Sequence, residues 1–330
     1  MVLPYLIRLG TRLQTGLAQT PEEYRQRHGQ FLLSRQLPSG GFSGRDVDLS
    51  GQPLFEDGVQ ADLYYTSFAL RGLVGLGQLN AETAKHVAGW LGRQAGRCHT
   101  VIDLVSWLSS ALAIQMASGI DLLAQAPDDW SVRLAQRLES FRTADGGYTK
   151  SAAGAQGSTY HSFLVALCYE LIGQTLPEPK RLIEFVLNRQ RDDGGFVEMA
   201  AMRRSGTNPT AAAVALLSML GGLDADTMAR TVPFLIEVRG DDGGFQANTR
   251  VPFSDTLSTF TGYLTSLELG QAELLPAPRL QRFLNALEQP EGGYLAAGWD
   301  RLADVEYTFY ALGCQALLRS EGTPQAVSGR

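Results

Sequence analysis

A pair of glycines followed by an aromatic residue recurs five times along this 330-residue chain, and its spacing constrains the fold more than any other feature. The copies are Gly40-Gly41-Phe42, Gly146-Gly147-Tyr148, Gly194-Gly195-Phe196, Gly243-Gly244-Phe245 and Gly292-Gly293-Tyr294. Successive first glycines are 106, 48, 49 and 49 residues apart. The first gap is two periods long, and Gln94-Ala95-Gly96-Arg97, with one glycine and no aromatic, sits near its middle. Six units of about fifty residues follow, and a fixed period of this size marks a repeat architecture.

Each unit has the same internal order. Before the glycines the spacing predicts a helix with one wet face: 22–35, 81–93, 130–141, 179–189, 225–238 and 278–287. After them it predicts a more apolar, protein-surrounded helix: 62–76, 100–116, 158–172, 208–220, 255–269 and 304–318. Six amphipathic helices alternating with six buried ones describe an all-α (α/α)6 toroid, a double ring whose closure removes the need for capping repeats. The expectation is one such domain over residues 1–330. The glycines supply the left-handed backbone needed to leave one helix and reverse into the next. The aromatic then wedges between units.

Charge and cysteines narrow the function. Twenty-eight Lys and Arg against 34 Asp and Glu leave a net charge of −6, without the basic footprint of a nucleic-acid binder. Cys98, Cys168 and Cys314 form no CxxC pair and read as reduced thiols. Arg8 and Arg12 interrupt the N-terminus before a signal peptide can develop, and the serines of 104–120 suit a buried helix better than a membrane span. The expectation is a cytoplasmic protein that is not integral to a membrane.

With Gln190-Arg191-Asp192-Asp193-Gly194-Gly195-Phe196 in view, the chain resembles the β subunits of protein prenyltransferases and, more distantly, the squalene–hopene and other class II terpenoid cyclases. The resemblance runs from about residue 20 to 319 and implies the (α/α)6 toroid. Prenyltransferase β subunits hold a catalytic zinc through Asp-x-Cys and a late Asp-x-x-His-Thr. Here Asp255-Thr256-Leu257 keeps the aspartate and loses the thiolate, and Asp304-Val305-Glu306-Tyr307-Thr308 has tyrosine in place of the histidine. One carboxylate out of three ligands cannot make a tetrahedral zinc site, so the expectation is no catalytic zinc, with magnesium left open. Class II cyclases use Asp-x-Asp-Asp, which is absent. The nearest strings are Asp304-Val305-Glu306, with glutamate at the acid position, and Asp46-Val47-Asp48-Leu49 in a glycine-rich stretch. Two nearby carboxylates can raise one pKa, as an acid catalyst needs.

In a toroid of this kind the starts of the inner helices gather at one mouth. Asp62, Thr100, Ser158, Asn208, Asp255 and Asp304 occupy those starts and are all good N-caps. The candidate catalytic residues are Asp304, Glu306 and Asp255. The candidate substrate contacts are Asp62, Tyr65, Trp107, Tyr160, His161, Phe260, Tyr307, Arg203 and Arg250. The aromatic rings either pack the core or line an axial cavity for an isoprenoid, the arginines either meet a diphosphate or sit in solvated loops, and His161 is either a site residue or a core histidine. The leading expectation is an isoprenoid-handling enzyme, with protonation-initiated cyclisation as its best-defined mechanism. The alternative is a non-catalytic lipid-binding or scaffold protein that kept the toroid. A protein partner or a homo-oligomer is compatible with either.

Overall fold

The computed structural model describes residues 3–45 and 60–320. Thirteen helices run through them: α1 (Tyr5–Ala18), α2 (Glu22–Leu33), α3 (Leu63–Leu76), α4 (Ala81–Gly92), α5 (Val101–Ser118), α6 (Trp130–Glu139), α7 (Thr159–Leu171), α8 (Pro179–Leu187), α9 (Thr207–Leu220), α10 (Ala225–Glu237), α11 (Thr256–Glu268), α12 (Ala277–Leu287) and α13 (Val305–Ser320). The six odd-numbered helices from α3 to α13 pack each on the next, and α13 returns to α3. This is the closed inner ring. The even-numbered helices α2 to α12 form the outer one. The string at residues 46–49 lies outside the described residues.

The glycine motif explains how the rings are held in register. The first glycine of every copy has a positive φ, between 85° and 107°. At Gly194 a Cβ would stand 1.8 Å from the Arg230 carbonyl oxygen of the next outer helix, so the position demands glycine both for its backbone angle and for close approach. The second glycine lies under an aromatic ring from that same helix: Phe234 covers Gly195, as Phe185 covers Gly147. The motif's own aromatic is fully buried in all five copies. Its backbone N–H donates to a hydroxyl on the following inner helix, as in Phe196 to Thr210 at 2.9 Å. The counterparts are Phe42 to Thr66, Tyr148 to Ser162, Phe245 to Thr259 and Tyr294 to Thr308. A buried amide that would otherwise go unpaired is thereby satisfied in each of the five units that carry the motif.

Ring closure uses the same device between the last unit and the first. Phe31 of α2 covers Gly293, and the Gly293 N–H donates to His28 Nδ1 at 3.0 Å. His28 Nε2 then lies 3.3 Å from Glu288 Oε1. Burial holds the imidazole's pKa below its ordinary value. The neutral ring accepts at one nitrogen and donates at the other.

Helix α1 is an addition that the fifty-residue period does not contain. Its apolar face, Leu6, Leu9, Leu13 and Leu17, packs across the last turns of the inner ring against α13 and α3. Tyr5 anchors it, donating its backbone N–H to Glu170 at 2.6 Å and its hydroxyl to Glu268 at 2.8 Å. One end of the ring is therefore plugged. Helix Val101–Ser118 is long and apolar enough to cross a membrane by length and composition, but here it is the second inner helix, packed between α3 and α7.

Candidate functional site

Because the inner helices run parallel, their N-termini form one rim. Asp62 caps α3 through the Tyr65 N–H at 3.1 Å, and Thr100 forms a capping box with Asp103. Ser158 caps α7, Asp255 caps α11 through Ser258 at 2.7 Å, and Asp304 receives the Tyr307 N–H at 2.9 Å. Asn208 departs from the expected pattern. Gly206 occupies the cap of α9, and Asn208 lies inside the first turn, where its side-chain oxygen accepts from the Thr261 hydroxyl at 2.7 Å.

Inside the ring is a cavity of about 510 Å³, within the usual range for small-molecule sites. The residue two places beyond each cap faces it: Tyr64, Ile102, Tyr160, Asn208, Leu257 and Glu306. Deeper turns add Phe68, Phe163, Phe260 and Tyr310, and Tyr5, Leu6 and Leu9 of α1 form the floor. Helical phase therefore divides the sequence candidates. Tyr160, Phe260 and Glu306 line the cavity.

Tyr65, His161 and Tyr307 each lie one residue further round their helices and do not line it. Trp107 points to the outer ring and donates its indole N–H to the Leu91 carbonyl at 3.0 Å. Burial, with the Lys150 charge adding to it, lowers the His161 pKa to about 4, so that ring is neutral at pH 7. Arg203 and Arg250 are exposed on loops and also take no part in the cavity lining.

The carboxylates are divided as well. Asp62 and Asp255 act as caps, and Asp255 also accepts from the Ser258 hydroxyl at 2.8 Å. Asp304 combines its capping bond with an ion pair to Arg45 at 3.3 Å, while Asp300 meets the same guanidinium at 3.0 Å. Burial outweighs both partners and pushes the Asp304 carboxyl up to about 6. Asp304 does not line the cavity. Glu306 does. The Tyr64 hydroxyl donates to it at 2.6 Å, and burial, helped by the Asp304 charge, pushes its carboxyl up to about 7. A group poised near neutrality in an aromatic chamber can deliver a proton.

Two further acids line the cavity and were not foreseen. Glu198 accepts from the Ser158 hydroxyl and from the Tyr160 N–H at 3.3 Å, and Glu268 accepts from Tyr5. Burial raises both carboxyls above the ordinary range. Among the described residues, no three His, Cys, Asp or Glu side chains form a cluster that could hold a metal ion. Arg71, also unforeseen, faces the cavity from the third turn of α3.

The sequence profile of the prenyltransferase alpha-alpha toroid domain matches residues 1–96 and 99–328, and the chain belongs to that family. Among curated proteins no significant match was found. Solved structures of the same shape include the Candida albicans protein geranylgeranyltransferase-I, with a TM-score of 0.64 and 17% identity over 87% of this chain and 89% of that one. A type II terpene cyclase from Scytonema gives 0.58 and 17%, over 96% and 99% of the two chains. An α-1,6-mannanase of Salegentibacter gives 0.62 and 10%, over 90% and 99%. At such identities the likeness is one of fold.

Proposed function

We propose that the chain is an isoprenoid-binding enzyme that begins its reaction by protonating a carbon–carbon double bond, with Glu306 as the acid. The observation that carries this reading is the placement of Glu306: a half-buried carboxyl, pushed up to about 7, facing a cavity walled by Tyr64, Phe68, Tyr160, Phe260 and Tyr310. The double bond's electron pair takes the Glu306 proton to form a C–H bond, leaving a carbocation on the neighbouring carbon. Aromatic π faces stabilise such a cation, and attack by a second double bond closes a ring. The Tyr64 hydroxyl already donates to Glu306, which steadies the carboxylate left behind. Loss of a proton from the cyclised cation to that carboxylate restores the acid.

Asp304 serves this scheme from outside the cavity, holding the start of α13 and raising the Glu306 pKa by its charge. Asp255 serves only as the cap of α11. The chemistry needs no zinc, and Leu257, which the sequence resemblance sets against the prenyltransferase thiolate, lines the cavity. Relatives in fold support an isoprenoid as the occupant: the Candida enzyme was solved with GGPP and a Scytonema cyclase with geranylgeranyl dihydroxybenzoate.

Glu306→Gln keeps the shape and removes the transferable proton. Incubation with squalene and with C15 and C20 polyprenes should give cyclised products with the wild type, falling off as pH rises through about 7, and none with the variant. Thermal stabilisation by the same ligands should survive in both. Turnover that persists in Glu306→Gln removes this residue as the acid, and binding without turnover in the wild type returns the non-catalytic reading.

The same raised pKa has a signed effect on stability. The folded state holds a proton on Glu306 more tightly than the unfolded chain, so stability is lost as pH climbs from about 4.5 through 7. The loss is at most about 3 kcal/mol. Glu306→Gln should flatten that part of the stability profile in thermal melts at pH 5 and pH 8.

A further inference from the structure

Among the described residues Arg71 is the one cation on the cavity wall, and nothing in the protonation scheme uses it. It lies two turns below Tyr64 on the same face of α3. Its guanidinium carbon sits 4.2 Å from the Phe309 ring centre and 5.2 Å from that of Phe68. Among the described residues Tyr64, Tyr160 and Tyr310 also lie within electrostatic reach of it, and it has neither a hydrogen-bond nor an ion-pair partner. The three cavity acids are each occupied elsewhere: Glu306 by Tyr64, Glu198 by Ser158 and the Tyr160 N–H, and Glu268 by Tyr5.

At the corresponding level of the other inner helices the wall is Ser109, Leu167, Ala215 and Leu264, uncharged and in part small. A guanidinium stays ionised in proteins. A half-buried charge with no counter-ion is costly, and a ligand that brings one recovers part of that cost. The fork of N–H donors matches a carboxylate in two parallel bonds. A single cation balances a single negative charge, whereas a diphosphate brings more charge than this wall can neutralise.

We infer that the occupant of the cavity is an isoprenoid carrying a carboxylate headgroup, and that Arg71 receives it. This rests on the isoprenoid reading of the cavity and names the substrate class within it. The adjoining Phe309 and Phe68 rings hold the guanidinium from one side before the ligand arrives. The hydrocarbon then runs from Arg71 past Phe68 towards Tyr64 and Glu306, which sets a double bond, rather than the headgroup, beside the acid.

Three ligands of one chain length test it: farnesoic acid, farnesol and farnesyl diphosphate, titrated calorimetrically into the wild type, Arg71→Met and Arg71→Lys at pH 8. The wild type should bind the acid about tenfold to a hundredfold more tightly than the alcohol, as expected for a charge-assisted bond. It should also prefer the acid to the diphosphate. Arg71→Met should lose the preference for the acid while still binding farnesol, and Arg71→Lys should keep part of it. Without ligand, Arg71→Met should melt no lower than the wild type, because it removes an uncompensated charge; a lower melting temperature assigns Arg71 a packing role through Phe309 instead. Equal binding of acid and alcohol overturns the inference and leaves the isoprenoid cavity standing. Preference for the diphosphate overturns the carboxylate assignment. Failure of every ligand to bind overturns both the inference and the reading beneath it.

Discussion

The fourth repeat and the second carry the same pair of helices on different loops. In the fourth, Gly194 turns the chain at φ 85°, Gly195 lies under Phe234, Phe196 is buried and its N–H finds Thr210. In the second, a 3-10 turn at Ala95–Arg97 replaces the glycine pair, and no aromatic follows. The other parts have gone with them. The position of Thr210, four residues past the cap, is Leu104 in the second repeat. Where other outer helices bring Phe31, Phe185, Phe234 or Phe283, α6 brings Arg137, whose guanidinium donates to the Cys98 carbonyl. Glycine turn, covering ring, buried aromatic and hydroxyl are therefore one device. A unit that lacks the turn has no use for the remainder. Yet α5 still places Ile102, Val105, Ser106 and Ser109 on the cavity wall, so the cavity depends on the inner helix more than on the loop.

The sharpest way to break this comparison is to put a side chain into each turn. Gly194→Val adds a Cβ 1.8 Å from a backbone oxygen at an angle that valine scarcely adopts. It should cost more than about 3 kcal/mol or abolish folding. Gly96 has nothing within 4 Å of its missing Cβ, and Gly96→Ala should change stability by less than about 0.5 kcal/mol in urea melts. Equal effects at the two sites would mean that the glycine turn is not what holds the regular repeats.

A smaller effect separates the hydroxyl from the space it fills. Thr210 accepts from the Phe196 N–H and donates to the Gly206 carbonyl at 2.7 Å. Thr210→Val keeps the volume and orphans a buried amide, at about 1–3 kcal/mol. Thr210→Ser restores the acceptor and should recover most of that loss. If serine proves no better than valine, the hydroxyl is incidental and the coupled absence at Leu104 has another origin.

The period made twelve of the thirteen helices legible, because a repeated unit states its boundaries several times over. Helix α1 escaped because it occurs once. Its apolar residues, Leu6, Leu9, Leu13 and Leu17, do recur at helical spacing, but no glycine motif follows to mark them as part of a unit. The site was legible by residue type and less so by direction. Tyr64 and Tyr65 look alike in the sequence, as do Glu306 and Tyr307 as candidates, and only the phase relative to the cap separates the cavity wall from the helix-packing face. Counting two residues from each cap would have found Tyr64, Tyr160 and Glu306 and passed over Tyr65, His161 and Tyr307. Asn208 was obscured by Pro209, which reads as a helix opening two residues too late. Arg71 carries no local motif, and its isolation is visible only when the neighbouring helices are in place.

The smallest expected effect tests whether the second repeat has its own substitute for the lost device. Arg137 is half-buried, and its bond to the Cys98 carbonyl ties α6 to the loop of the second repeat, as Phe185 ties α8 to the loop of the third. A single charge-assisted bond at a partly wet position is worth about 1 kcal/mol. Arg137→Ala should lower stability by about that much. Arg137→Phe should do no better, although it restores the residue type of four other outer helices, because a ring gains contact area only where Gly-Gly leaves a floor for it. Full recovery with phenylalanine would show that the turn at 95–97 already offers such a floor. The second repeat would then differ from the fourth in sequence and not in the way its rings are joined.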